Sequence, residues 1–358
     1  MATARPTVLV TGVSGDLGLR LLPQLAATYD VIGVDLHPPE TSTAVRFTSM
    51  NLEREECCHE LMLLMREHRV QAVAHLAFVM DSVRTGIVDS ARMWQINVAG
   101  TARVMETIAE VNRDEVLVKK FIFPSSVLVY GPGLSMATED GQLNGDTLAC
   151  AAQQVEAEKV VRHRAPGLRG CSAYVLRSHI FVGASVRNGL MAAFRGAPGG
   201  KSARADKLRS RGKKLSFALP RGRKYLQNRV QFTHVDDMAR LIVHIAGKTE
   251  PEPQKITLLN VAGWGEPLTY ASCLQAAQLQ PLRLPGKWAT RMFWRRLWER
   301  GVSAVPYEMV DYLTEDWVMN IERLKKYLGQ DFEKVIRYSA ADAFAESLDT
   351  AAHAAAGS

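Results

Sequence analysis

An α/β fold built on a parallel, doubly wound sheet is what this sequence predicts, on three observations. An apolar run, Val8-Leu-Val10, breaks into glycines at Gly12, Gly15 and Gly18 and leads directly into a helical segment, Leu19–Leu25. Downstream, short apolar stretches alternate with amphipathic ones of helical length, a pattern that calls for right-handed crossovers between parallel strands. The third observation is bulk. The 358 residues are 47% hydrophobic and 23% charged, an ordinary globular balance in a chain too long for one small core.

The elements follow in order. Val8–Val10 is a buried strand, and the turn after it holds Gly12, Ser14, Gly15, Asp16, Leu17 and Gly18. Glycine allows a tight turn and close backbone approach to a pyrophosphate, while the helix N-terminus offers unpaired N–H groups and a favourable dipole. Spaced glycines alone are a weak signal; in this Rossmann-type strand–turn–helix context they predict dinucleotide binding. Tyr29–Asp35 reads as a second strand ending in an acid. Asp35 stands about twenty residues beyond the turn, where a carboxylate hydrogen-bonds the adenosine ribose. It would repel a 2′-phosphate, and no arginine follows it directly, so NAD is expected rather than NADP. The other reading of Asp35 is a strand-end acid that caps a turn. A strand near Val45–Thr48, a helix over Glu53–His68, a strand at Ala72–Ala77, a helix from about Ile87 to Val111 and a strand at Lys119–Ser125 complete the alternation.

Several motifs then occur in sequence: Thr11–Gly18, His75-Leu-Ala77, Asn97-Val-Ala-Gly-Thr101, Ser125-Ser-Val-Leu-Val-Tyr-Gly131, Leu176–Gly183, His234-Val-Asp-Asp237 and Asn320–Gly329. Jointly they resemble the extended short-chain dehydrogenases/reductases, the NAD-dependent epimerase/dehydratase family. The resemblance implies a Rossmann-type NAD-binding domain at 1–183, with 225–262 returning to it, and a smaller C-terminal substrate domain from 184–224 and 263–358. It implies cofactor contacts at Asn51, Leu52, Leu76, Ala77 and Asn97, a nucleotide-sugar or similar hydroxyl substrate, and a homodimer. Asn51 stands where the family usually has Asp; its carbonyl oxygen can still accept from an adenine amino group.

In that family a Ser holds the reacting oxygen, a Tyr moves its proton, and a Lys four residues later lowers the Tyr pKa and grips the ribose. A phenol near pKa ~10 needs such a cation to act at neutral pH. Ser126 matches the Ser. Glu139 and Glu158 fit the flanking acids, and the register they set places Cys150 at the Tyr position and Gln154 at the Lys position. No tyrosine in the chain is followed four residues later by lysine. Gln154 could still bond a ribose hydroxyl, and Cys150 reads either as a thiol that exchanges protons or as a small helix cysteine. The sequence therefore leaves two classes open: an atypical NAD-dependent oxidoreductase, or a non-catalytic NAD-binding regulatory or scaffold protein. Ser126 could orient a substrate or simply end a strand. Asn97 and His75 are expected to be structural.

Other features bear on partners. Lys201–Lys224 holds ten Lys/Arg against Asp206, and is expected either over the substrate pocket holding phosphates or as a solvated loop. Nucleic acid is not expected, because no aromatic residue interleaves these charges before Phe217. Lys287–Arg300 places Trp294 and Trp298 on one helical face beside Arg291 and Arg295, which suits packing into the smaller domain, a membrane surface or a protein partner. Cys57, Cys58, Cys150, Cys171 and Cys273 show no metal spacing, so no metal is expected, and their scatter suits a reducing compartment. With no apolar run near ~20 residues and a strand beginning almost at once after Met1, the expected location is cytoplasmic, with peripheral membrane contact left open.

Overall fold

The structure is a computed structural model that describes residues 5–41, 43, 45–80, 89–249 and 255–349. Seven strands form its central sheet: β1 (Thr7–Thr11), β2 (Asp30–Asp35), β3 (Arg46–Ser49), β4 (Val70–His75), β5 (Lys120–Ser126), β6 (Ser172–Ser178) and β7 (Ile256–Val261). Their spatial order is β7-β6-β5-β4-β1-β2-β3 and every pairing is parallel. All residues of β1 and β6 are buried, as a parallel sheet covered on both faces requires. Helix α1 (Asp16–Ala26) turns Leu17, Leu21, Leu22 and Leu25 inward and packs beside a later helix, Val235–Gly247. The opposite face is covered by α2 (Cys57–Glu67), α3 (Gly100–Val111) and α4 (Ala149–Arg164). The chain reverses direction across the sheet between β1 and β4. That is the switch point at whose strand ends ligands bind in such folds.

One expected helix begins later than its pattern suggested, and another is interrupted. α2 starts at Cys57 because the Asn51 side chain accepts from Glu53 N at 3.0 Å, holding 51–56 in turns. The helix expected from Ile87 has its first residues outside the described ones. Its described part opens at Ser90, capped by Asp89, and is broken by a π-helical turn at Gln95–Ala99 before α3. The wider turn coincides with a side chain bonding elsewhere: Asn97 accepts from Val79 N at 2.7 Å and donates to Val79 O and Gln153 Oε1.

Beyond the sheet, smaller pairings build the wall above the switch point. Ile180–Val182 pairs with Phe232–His234, Phe217–Pro220 with Pro281–Leu284, and Trp317–Met319 lies between Leu134–Ala137 and Arg229–Val230. His234 accepts from Asp236 N and so caps Val235–Gly247. The helix Gly286–Glu299 packs on Phe217–Pro220, with Trp294 buried and its Nε1 donating to Ala218 O at 3.2 Å. Lys201–Lys224 corrects the loop reading. It contains a helix, Ala203–Ser210, capped by Ser202, and the buried strand Phe217–Pro220. The C-terminal helix spans Ala340–Leu348, and the alanine-rich residues from 350 lie outside the described ones. Among the described residues no helix is long and apolar enough to cross a membrane, and no cluster of His, Cys, Asp or Glu could hold a metal.

Candidate functional site

The glycine turn is built around two clashes that only glycine avoids. Gly12 has φ +67°, and a Cβ on it would meet Ala77 N at 2.5 Å. A Cβ on Gly18 would meet Val13 O at 2.3 Å, so this glycine lets α1 close onto the turn. Gly15 differs: its nearest neighbour would be Gly12 O at 3.4 Å, and it lines a cavity. It is the N-cap of α1 and has no capping side chain, so the first-turn N–H groups of α1 are left for a ligand. These residues fit a pyrophosphate. At the end of β2, Asp35 accepts from Ser14 N at 3.0 Å and Leu36 N at 2.7 Å, while Ser14 Oγ donates to His37 O at 2.6 Å. The carboxylate is thereby fixed next to the turn, with lone pairs left for ribose hydroxyls.

The cavity has a volume of about 440 Å³. It runs from Gly12, Gly15, Asp16, Leu17, Gly18 and Leu76, past Ser126, Cys150 and Gln154, to residues of the upper wall. The structure thus brings the glycine turn and the three positions expected to carry chemistry onto one continuous surface. Asn51 does not share it, facing instead a separate hollow of about 450 Å³ with Arg54 and Glu60. Leu52 is buried in the core, Ala77 N donates to Thr11 Oγ1 at 3.3 Å, and Asn97 is engaged in the π turn.

Ser126 ends β5 and caps the short helix Val127–Tyr130, its Oγ accepting from Leu128 N at 3.3 Å. The hydroxyl proton is left to point elsewhere. Cys150 and Gln154 lie one helical turn apart at the start of α4 and share its cavity-facing side. Gln154 is buried and donates to Pro124 O at 3.5 Å, a long contact. Cys150 is half-buried. Burial pushes the thiols of Cys57, Cys171 and Cys273 up to about 12.

α4 is held in place by a buried ion pair. Arg177 on β6 meets Glu158 at 2.6 Å, and neither side chain is exposed. Ser125 Oγ also donates to Glu158. The other arm of Arg177 donates to Tyr130 OH at 2.8 Å and to Glu139 O at 2.9 Å. Tyr130 OH in turn donates to Asn260 Oδ1 at 2.6 Å, and Asn260 N donates to a Glu139 oxygen at 2.9 Å. Burial pulls the guanidinium pKa down, but the bonds and charge of Glu158 and Tyr130 outweigh it, so it is raised overall. The network could be suspected from sequence, because an arginine directly after the apolar run Ala173–Leu176, in the same strand, must find partners.

Two histidines near the site are not bases. His75 is buried between Phe121 and Phe123 and bonded by Thr11 and Thr101 through its two ring nitrogens. Burial lowers its pKa to about 3. His179 was not singled out by sequence and lies on the cavity wall. Its Nδ1 accepts from Ile180 N, so Nε2–H donates to Trp317 O at 2.8 Å; burial lowers its pKa to about 3 as well. The upper wall was also missed in part: Arg187 and Met309 carry no motif signal, and Phe181 was not singled out within Leu176–Gly183. Trp298 reaches the wall from the tryptophan–arginine helix, whereas none of the ten cations of 201–224 does. The helix Ala203–Ser210 that carries several of them is fastened to Gly301 through Ser202.

A parallel sheet of this order, with a glycine turn at the switch point and a cavity on its strand ends, defines a dinucleotide-type α/β protein. The NAD dependent epimerase/dehydratase family model matches residues 8–262, and the chain belongs to that family. No curated protein matches the chain in sequence. Solved structures match over nearly its whole length. MoeE5, in complex with UDP-glucuronic acid and NAD, superposes with a TM-score of 0.65 at 17% identity, over 97% of this chain and 99% of that one. UDP-glucose 4-epimerase of Thermus thermophilus, in complex with NAD, gives 0.65 at 18%, over 96% and 98%. UDP-glucose 4-epimerase of Thermotoga maritima, with UDP-glucose, gives 0.64 at 18%, over 96% and 97%.

Proposed function

We propose that this chain binds NAD on the glycine turn and Asp35, and exchanges hydride with a small hydroxyl-bearing molecule held beside it. The observation that carries the reading is the continuity of one cavity from Gly12, Gly15 and Gly18 to Ser126, Cys150 and Gln154. Bound NAD would supply a carbon that takes up or returns hydride. The chain's own residues would do the rest. Ser126 donates its O–H to the substrate oxygen, and Gln154 bonds a ribose hydroxyl from the position where the family has Lys. Cys150, in the Tyr position, is the group on the wall that would exchange the proton. The test is a calorimetric titration with NAD, followed by the absorbance of reduced cofactor over a panel of alcohols and sugar nucleotides. Saturable NAD binding and turnover lost in Cys150→Ser are the expected results. Absence of NAD binding overturns the reading.

A second reading, a non-catalytic NAD-binding protein, is favoured by one observation. The cavity's histidine, His179, is kept neutral by burial, has both ring nitrogens bonded to backbone, and cannot stand in for the missing phenol. NAD binding without turnover across the panel, and with no difference between the natural chain and Cys150→Ser, would select it.

For partners, we propose contact with an anionic lipid surface. Residues 201–224 and 286–300 hold 15 of the 44 lysines and arginines but two of the 37 acids, a formal +13 against −6 for the remainder. The two segments adjoin: Ser202 Oγ donates to Gly301 O, and Gly286–Glu299 packs on Phe217–Pro220. Trp288 is 76% exposed at the edge of this face, an amphipathic ring beside cations, as interfacial helices use. Flotation with phosphatidylserine-containing vesicles, but not with pure phosphatidylcholine, is the expected result, weakened by salt and by Trp288→Ser. Equal binding to both vesicles, or none, overturns it.

A further inference from the structure

We infer that the compartment beyond Ser126 and Cys150 is built for a largely apolar ligand carrying one oxygen function, such as a long-chain, terpenoid or fused-ring alcohol or its ketone. This rests on the NAD reading, which places the dinucleotide at the glycine end of the same cavity. Past Cys150 the wall is made by Leu148, Phe181, Val186, Leu190, Trp298 and Met309. The polar side chains among them face their own protein partners. His179 is bonded at both ring nitrogens. Asn188 Oδ1 accepts from Met191 N at 2.8 Å, and its Nδ2 donates to Phe181 O at 2.8 Å. Ser178 Oγ donates to Ser125 O at 3.1 Å. These bonds leave the wall few polar atoms to offer a ligand, except where Ser126, Cys150 and Gln154 gather at the dinucleotide end.

Charge points the same way. A nucleoside diphosphate needs charge-assisted donors around its phosphates, and an anion moved onto an apolar wall without them loses its hydration uncompensated. Arg187 is the one lysine or arginine lining this cavity among the described residues. None of the cations of the basic stretch 201–224 lines it. An apolar chain, by contrast, gains from every methylene removed from water. A ligand with a single hydroxyl or carbonyl matches the polarity of the wall: oxygen at Ser126, hydrocarbon against the aromatic and aliphatic side chains.

The experiment is a binding titration of the full chain with a homologous series of methyl ketones, a terpenoid ketone and a steroidal ketone, and separately with UDP-glucose. All are run with NAD present and read by calorimetry and by intrinsic tryptophan fluorescence, to which Trp298 and Trp317 on the cavity wall contribute. The expected result is ketone binding that tightens about fourfold per added methylene until the compartment is filled, with no heat from UDP-glucose. Leu190→Arg should abolish ketone binding while NAD affinity stays unchanged, which also shows that the variant is folded; Val186→Asn serves as a milder second variant with at least about a tenfold loss. UDP-glucose binding, or no binding by any ketone while NAD binds, overturns the inference and leaves the NAD reading standing. Failure of NAD itself to bind overturns both.

Discussion

Arg177 and Glu158 form an ion pair at 2.6 Å with both side chains at 0% exposure, joining β6 to the helix that carries Cys150 and Gln154. The pair fixes where α4 begins relative to the cavity, and it does so at a desolvation cost that its own hydrogen bonds must offset.

Removing one partner leaves the other charge buried and alone. Glu158→Gln and Arg177→Met should each destabilise the protein by about 3–5 kcal/mol, whereas the pair of changes Arg177→Met with Glu158→Leu should cost far less than their sum. Urea unfolding of the three variants measures this. Single-variant losses under about 1 kcal/mol would show that the pair is not shielded from water.

The glycines of the turn separate stability from binding. Gly18→Ala forces a Cβ to within 2.3 Å of Val13 O, so it should lower stability by roughly 1–3 kcal/mol as α1 shifts. Gly15→Ala meets nothing closer than 3.4 Å and should cost about 1 kcal/mol or less, yet reduce NAD affinity by crowding the pyrophosphate. Thermal unfolding and NAD calorimetry on the same two samples read the contrast.

Asp35 accepts two backbone N–H groups and keeps capacity for two ribose hydroxyls. Losing those bonds in Asp35→Ala should weaken NAD by about tenfold or more and narrow the preference over NADP, since the charge that repels a 2′-phosphate is gone. Unchanged NAD affinity would mean that the carboxylate only braces Ser14 and Leu36.

Acid should destabilise the fold through two histidines. His75 and His179 have pKa values lowered from 6.5 to about 3 in the folded chain, so between those limits the unfolded state binds more protons. Their contribution is fully present above pH about 6.5 and is lost as pH falls toward 3, with a slope of up to about 1.4 kcal/mol per pH unit for each ring. Unfolding free energies measured across this range test the sign, and replacing His75 by Gln should remove up to one histidine's share of the slope.

Much of this was legible in the residues. The glycine spacing and the apolar runs placed the sheet and its switch point, because strand burial and turn geometry are local properties. The start of α2 was not, because Asn51 overrides a helical pattern with one side-chain bond. The π turn was also hidden, since it depends on Asn97 meeting Val79 in space. Cys150 and Gln154 could be assigned only through flanking acids. The side of the molecule on which 201–224 lies depended on Ser202 finding Gly301, a contact across about a hundred positions. Charge composition announced that stretch without saying which way it would face.

That facing has a dynamic consequence. With a formal +13 carried by 201–224 and 286–300 and −6 by the rest of the chain, an anionic sheet would exert a torque on the molecule from about one Debye length away, ~8 Å at physiological salt. It would arrive already turned, with Trp288 leading and the edge of the cavity formed by Trp298 close behind. Encounters would then be productive at first touch rather than after a search over orientations, and raising ionic strength would slow arrival even where it left the docked state intact.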